Sequence, residues 1–157
     1  MPQIPPYEIA ETLRLRKSQY CRLLDTHDWK AWGELFLPTA TATFNNPDGS
    51  IMTENNTALS FDSRHAMVSF FSKVFDALQT THVVGAGELT RVSEDEVRAI
   101  WPATYHAASQ GVAGGWTGTG GGQYHEVWKR VEGEWFIGEF RLVRSYWKVQ
   151  SLGESEA

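Results

Sequence analysis

The chain has a single cysteine, Cys21, in 157 residues. An internal disulfide is therefore excluded, and a reducing cytoplasm is the expected compartment. Positive charge is also scarce: 14 Lys and Arg against 19 Asp and Glu leave a formal charge of −5. A nucleic-acid surface needs a basic stripe to neutralise phosphates, and an anionic membrane needs the same, so neither partner is expected. No run of 18 apolar residues occurs, and MPQIPPYEIAET at the N-terminus lacks a basic stretch followed by an apolar one. A cysteine pair for zinc, HExxH, GxSxG and a Walker sequence are all missing. We therefore expect no metal and no cofactor. The Asn55-Asn56-Thr57 acceptor carries little weight without a secretion signal.

Large rings, by contrast, are plentiful: seven Trp, eight Phe and five Tyr. That supply can fill one domain's core and line an apolar cavity too, and the whole chain reads as one domain, with its core at about 7–149 and a disordered tail at about 151–157. From Tyr7, the residues Ile9, Leu13, Tyr20 and Leu23/Leu24 recur at helical spacing as far as Asp25. Glu8, Glu11, Arg14 and Lys17 fall between them, and Arg16 is a blemish on the stripe. Thr26-His27-Asp28 reads as a turn and cap for a second helix, Trp29–Phe36, stopped by Pro38.

Thr39–Phe44 alternates as a strand, and Asn45–Gly49 is a turn cluster, with a short strand possible around Ile51-Met52. Ser63–Leu78 predicts a helix capped by Asp62 or Ser63, with Met67, Phe70, Phe71, Val74, Phe75 and Leu78 as its stripe. The second half is β-rich. His82–Val92 and Glu96–Ala107 flank Ser93-Glu94-Asp95; Gln123–Val131 and Trp135–Val149 flank Glu132-Gly133. Between the hairpins, Gly111–Gly122 holds seven glycines and Trp116. It reads as a flexible β–β connection, with a lid as the less favoured reading. Pro102 cannot donate to a ladder, so an edge or a bulge is expected there. The order predicts an α+β domain with helices on one face of a mostly antiparallel sheet.

His82 stands where a helix gives way to a strand. Lone histidines are more often structural than catalytic, but imidazole both takes and gives protons near neutral pH. Asp25, at the end of the first helix stripe, could orient it; a solvated helix terminus is the plainer reading. Tyr20 faces inward on the same helix, as core packing or as a donor to a carbonyl oxygen. Trp101, Ala103, Tyr105 and Ala107 share one strand face, with His106 opposite. Tyr124, Glu126 and Trp128 share another, with His125 opposite. Arg144 lies among Leu142, Tyr146 and Trp147, as an ion-pair partner or a clamp on a carbonyl or anion.

These residues carry a resemblance. Tyr20–Phe44 (YCRLLDTHDWKAWGELFLPTATATF), Thr81–Val97 and Gly121–Trp147 resemble the SnoaL-like branch of the NTF2-like superfamily, over about Ile9 to Val149. The resemblance implies a cone-shaped α+β barrel, three N-terminal helices closing a curved, mostly antiparallel sheet around a deep pocket, and a homodimer or homotrimer formed through the outer sheet face. Against the scytalone dehydratase group, Asp25 and His82 match an Asp and a His used for water elimination. Leu24 and Phe44 stand in place of its two tyrosines, Ala107 in place of its second histidine, and Gly122 and Tyr124 in place of its Ser/Asn pair. Against the bile-acid 7α-dehydratase type, Tyr20, Asp25, His82 and Arg144 match, and Tyr105 replaces its second Asp. The same replacement speaks against an epoxide hydrolase of the limonene type.

The resemblance thus implies a cofactor-independent dehydratase or isomerase/cyclase acting on a bulky, apolar, oxygenated small molecule of secondary metabolism. His82, Asp25, Tyr20, Tyr124 and Arg144 would be catalytic. Phe44, Phe71, Trp101, Tyr105, Trp116, Glu126, Trp128 and Trp147 would bind the substrate. The rival is a non-catalytic pocket, as in the small subunits of ring-hydroxylating dioxygenases. A carboxylate near ~3 Å from the His82 ring would favour the enzyme.

Overall fold

The structure is a computed structural model describing residues 3–153. Helix α1 spans Tyr7–Asp25, with the bounds its periodicity predicts. Its buried side is Ala10, Leu13, Lys17, Tyr20, Cys21, Leu23 and Leu24. The basic residue on the apolar face is thus Lys17, not Arg16, whose guanidinium instead lies over the Phe136 ring. No helix among the described residues is long and apolar enough to cross a membrane.

Helix α2 (Trp29–Gly33) opens on Asp28, whose side chain accepts from the Ala31 amide at 3.2 Å. It is shorter than expected. Leu35 already accepts from Ile137 of the last strand, and Phe36 begins strand β1 (Phe36–Asn45). Pro38 therefore sits inside a strand rather than ending a helix. The pairing register of β1 on the last strand breaks between Phe36 and Thr41, so the proline forfeits no ladder bond there. Short strands β2 (Thr53–Glu54), β3 (Thr57–Ala58) and β4 (Ser60–Phe61) follow. Ser63 caps helix α3 (Arg64–Val74). The rest of the expected helix is a 3-10 turn, Phe75–Ala77, and Leu78 has already entered the sheet.

Five longer strands complete the fold: β5 (Leu78–Val84), β6 (Glu88–Ser93), β7 (Glu96–Ser109), β8 (Trp116–Val131) and β9 (Glu134–Ser151). The expected single strand His82–Val92 is two. Gly85 and Gly87 mark the break, because a Cβ on Gly87 would lie 2.4 Å from the Trp101 ring. Both pieces pair with β7, and Pro102 faces the gap between them, where its carbonyl accepts from Gly85. Its missing N–H points into that same gap, where the chain advances four residues from Val84 to Glu88 while β7 advances three from Ala103 to Ile100, so the proline faces a one-residue irregularity of the kind expected. The glycine-rich stretch is mostly strand, since β8 begins at Trp116 and only residues 110–115 form the connection. Ser151, where the tail was expected to begin, ends β9, and the rest of that expected tail from residue 154 lies outside the described residues.

The sheet order is β4-β1-β9-β8-β7-β5, with β6 also on β7. β1 runs parallel to β9 and the other pairings are antiparallel, so the sheet is mixed. The sheet is open, with β4 and β5 at its ends, so the expected barrel does not close; α3 follows β1–β4, in the helix–helix–strand–helix order that the sequence predicts. Along β7 and β8, alternate side chains turn inward (Val97, Ala99, Trp101, Ala103 and Tyr105; Tyr124, Glu126 and Trp128) and pack with Leu13, Tyr20, Leu24 and Trp32. The space left beyond that packing is the candidate site.

Candidate active site

A cavity of about 880 Å³ opens between α1, α3 and the sheet. Tyr20, Phe44, Phe71, His82, Tyr105, Trp116, Tyr124, Arg144 and Trp147, all expected as site residues, line it. Trp101, Glu126 and Trp128 do not. Both indole N–H groups donate to Glu126 Oε2 at 2.8 Å, and Lys17 donates to Oε1, so the three residues belong to a buried cluster beneath the cavity.

His82 reaches the wall because β5 alternates. Leu78, Thr80, His82 and Val84 are half-buried, and the residues between them are exposed. Thr80 and His82, two apart, thus face the C-terminal end of α1 together, and both bind Asp25. The His82 ring Nδ1 lies 2.6 Å from Asp25 Oδ1, the His82 amide donates to Oδ2 at 2.8 Å, and Thr80 Oγ1 donates to Oδ1 at 2.8 Å. An acceptor at Nδ1 selects the tautomer with its proton there and leaves Nε2 as a free base. Phe75 stacks on the imidazole at 14°, and Tyr105, its cross-strand neighbour, flanks it with ring centroids 5.8 Å apart. The imidazole, the carboxylate and the flanking rings are held together by the protein's own contacts. The dyad also borders a second, outer pocket of about 450 Å³ beside Ser18, Cys21 and Arg22.

Arg144, on β9, lies across Tyr105 from His82. The register of β8 on β9 shifts between Gly121 and Gly122, and Arg144 pairs with Gly122. Its Nε donates to the Tyr105 hydroxyl at 2.8 Å, and its guanidinium lies 5.1 Å from the Trp147 ring centre. Burial raises the Tyr105 phenol above its usual range, against the pull of Arg144.

Tyr20 and Tyr124 meet edge to face at 5.8 Å, packed on Phe140. Burial holds both phenols well above their usual range, so both stay protonated donors. Lys17 sits over them, its Nζ 3.6 Å from the Tyr20 ring centre and 3.9 Å from that of Tyr124. Sequence reasoning missed Lys17 and Thr80. The signal for Lys17 was present: it follows Leu13 by four residues and precedes Tyr20 by three, so it falls on the apolar stripe.

Open sheet, α1-borne aspartate, strand-borne histidine and aromatic cavity together define a pocket protein of the α+β class with a hydrogen-bonded His–Asp pair at its wall. The chain belongs to the SnoaL-like domain family, whose model matches residues 10–141, within the NTF2-like superfamily. It is 42% identical over 145 residues to a Gibberella zeae protein named Probable cyclase FGR4, covering 92% of this chain and 97% of that one. In structure it resembles a candidate scytalone dehydratase from Novosphingobium aromaticivorans, with a TM-score of 0.73, 15% identity and coverage of 94% and 93%. It also resembles the β subunit of a candidate aromatic-ring-hydroxylating dioxygenase from the same organism, with a TM-score of 0.70, 15% identity and coverage of 88% and 90%. At such identities these two likenesses speak to the fold alone.

Proposed function

We propose that this protein is an acid–base enzyme working with its own side chains on a bulky, mostly apolar, oxygenated small molecule of secondary metabolism, in a dehydration or an isomerising cyclisation. The observation that carries this reading is the 2.6 Å contact between His82 and Asp25 at the wall of an aromatic cavity. His82 Nε2 removes a proton next to a carbonyl and returns it to the leaving or migrating oxygen. Asp25 fixes the tautomer and stabilises the imidazolium while it exists. Tyr20 and Tyr124 offer hydrogen bonds from the cavity floor. The kinship to a probable cyclase supports a small-molecule-converting enzyme. Polyketide, terpenoid or steroid-like rings fit the lining, and assembly into a homodimer or homotrimer through the outer sheet face belongs to the same reading.

The rival, a pocket that binds or scaffolds without turnover, finds support in the dioxygenase β-subunit likeness. The dyad argues against it, because a merely structural histidine does not need three hydrogen bonds converging on its carboxylate. Exchange of α-hydrogens into 2-tetralone in D₂O, followed by mass spectrometry, tests proton abstraction without knowledge of the natural product. The wild type should accelerate exchange, and His82→Ala should abolish that acceleration with circular dichroism and melting unchanged. Asp25→Asn should cost about 100- to 10,000-fold, because it keeps the base but no longer fixes its tautomer or stabilises the imidazolium. Exchange by His82→Ala at near wild-type rate would sink the dyad model.

A further inference from the structure

We propose that Tyr105, its hydroxyl oxygen held by Arg144, is the group that receives the charge developing on the substrate oxygen, so that the site takes an enolisable ketone or aldehyde rather than a molecule arriving as a carboxylate. This rests on the reading of His82 as the base.

Adjacency is the first ground. An α-carbon is one bond from its carbonyl carbon, so the base and the donor to the carbonyl oxygen must be neighbours. His82 and Tyr105 are cross-strand partners with rings 5.8 Å apart. Tyr20 and Tyr124 pack instead against Trp32, Phe36 and Phe140, and neither ring contacts His82 among the described residues. The two floor phenols therefore suit a more distant oxygen of the substrate.

The second ground is how the hydroxyl is bonded. Arg144 Nε donates to the Tyr105 oxygen, which leaves the phenol's own proton to point elsewhere. Among the described residues no protein acceptor takes that proton. A phenol that accepts from a cation becomes a stronger donor, because the cation stabilises charge moving onto its oxygen. Burial keeps it protonated, as a donor must be.

The third is uncompensated charge. Arg144 is half-buried on the cavity wall, and among the described residues it forms no salt bridge. Its guanidinium lies 5.7 and 5.1 Å from the ring centres of Tyr105 and Trp147. A cation left without a counter-ion beside a base suits an anion that exists only during turnover.

The step balances without a further reactant. The α-proton passes to His82 Nε2, and the C–H electron pair becomes the C=C bond of an enolate. The carbonyl π pair moves onto oxygen, which takes the Tyr105 hydrogen bond. Protonation by the imidazolium, at another atom or on a leaving hydroxyl, completes the reaction.

The test uses binding, so that it reads independently of turnover. 4-Nitrophenol mimics the enolate and reports its own ionisation by absorbance; 4-nitroanisole lacks the acidic proton, and 4-nitrobenzoate is a resident carboxylate. The wild type should bind 4-nitrophenol as its anion, with a lowered bound pKa, and prefer it to both others by at least about tenfold. Tyr105→Phe, a near-isosteric change, should weaken that binding about tenfold and return the bound pKa toward the free value. Arg144→Met should do likewise and carries the test if Tyr105→Phe misfolds by circular dichroism. The proposal is overturned if Tyr105→Phe binds like the wild type, if the wild type shows no preference for the anion, or if 4-nitrobenzoate binds best and depends on Arg144 alone. A failed exchange experiment with intact anion binding would instead count against His82 as base.

Discussion

Lys17 and Glu126, 109 residues apart in sequence, form an ion pair whose side chains have no solvent exposure. Both Glu126 oxygens are engaged, one by the ammonium and the other by the Trp101 and Trp128 indoles. The pair joins α1 to β8, with the Lys17 ammonium against the Tyr20 and Tyr124 rings. Burial lowers the Lys17 pKa and the neighbouring carboxylate opposes that shift, so the cluster is costly to assemble and costlier to halve.

Lys17→Met should therefore destabilise the fold by about 3 kcal/mol, toward the low end for breaking a buried pair, because the two indoles still support Glu126. Adding Glu126→Gln should recover part of that loss: it removes the stranded charge and keeps an acceptor for the indoles. Denaturant unfolding of the two single variants and the double variant forms the cycle that checks this. A loss for Lys17→Met within about 0.5 kcal/mol of zero would mean that the pair is not a buried charge pair at all.

What could be read from residue order follows from what kind of order it is. Helix α1 and the two hairpins were legible because period 3.6 and period 2 survive burial on one face. The Asp25–His82 pair was legible through chemistry and resemblance. Lys17 was not, although its spacing placed it on the stripe, because a lysine there is normally explained by its stem lying along apolar surface. The division of β5 from β6 was hidden because strand-forming residues, Val83-Val84 and Leu89-Thr90, lie near both ends of Gly85-Ala86-Gly87. Only the Trp101 ring, which occupies the space a Cβ on Gly87 would need, shows why the chain breaks there. Trp101, Glu126 and Trp128 share inward faces with Tyr105 and Tyr124 but lie under the floor rather than in the wall. Alternation gives the face of a strand, not the depth along it.

Gly118 and Gly120 of β8 make room for rings rather than flexibility. A Cβ on Gly120 would meet the Tyr146 carbonyl at 2.7 Å, the Trp147 ring at 2.8 Å and the Tyr105 ring at 2.9 Å. The backbone oxygen cannot swing aside as a side chain could. Gly120→Ala should cost about 1–3 kcal/mol as overpacking and shift the rings of Trp147 and Tyr105, and with them Arg144. Near-ultraviolet circular dichroism and melting measure both effects. Gly153→Ala, with nothing within 4 Å of the added carbon, is the control that should leave both unchanged.

Alkaline stability tests the cavity floor. Tyr20 and Tyr124 have folded pKa values held well above the ordinary phenol, in both cases chiefly by burial. Their contribution is fully present below the unfolded value, about 10, and is lost as pH rises through the folded values, because the unfolded chain releases protons that the folded one keeps. Lys17 acts in the opposite sense. Its folded pKa is lowered, so the unfolded chain binds the extra proton, and stability rises with pH from the folded value up to about 10.5. Denaturant melts stepped through the alkaline range should show wild-type stability falling above about pH 10. Tyr20→Phe with Tyr124→Phe should flatten that fall, and Lys17→Met should remove the opposing rise below it. Unchanged slopes in the double phenylalanine variant would mean that these two phenols ionise as freely in the folded protein as in the unfolded chain. The cavity floor would then be wet rather than sealed.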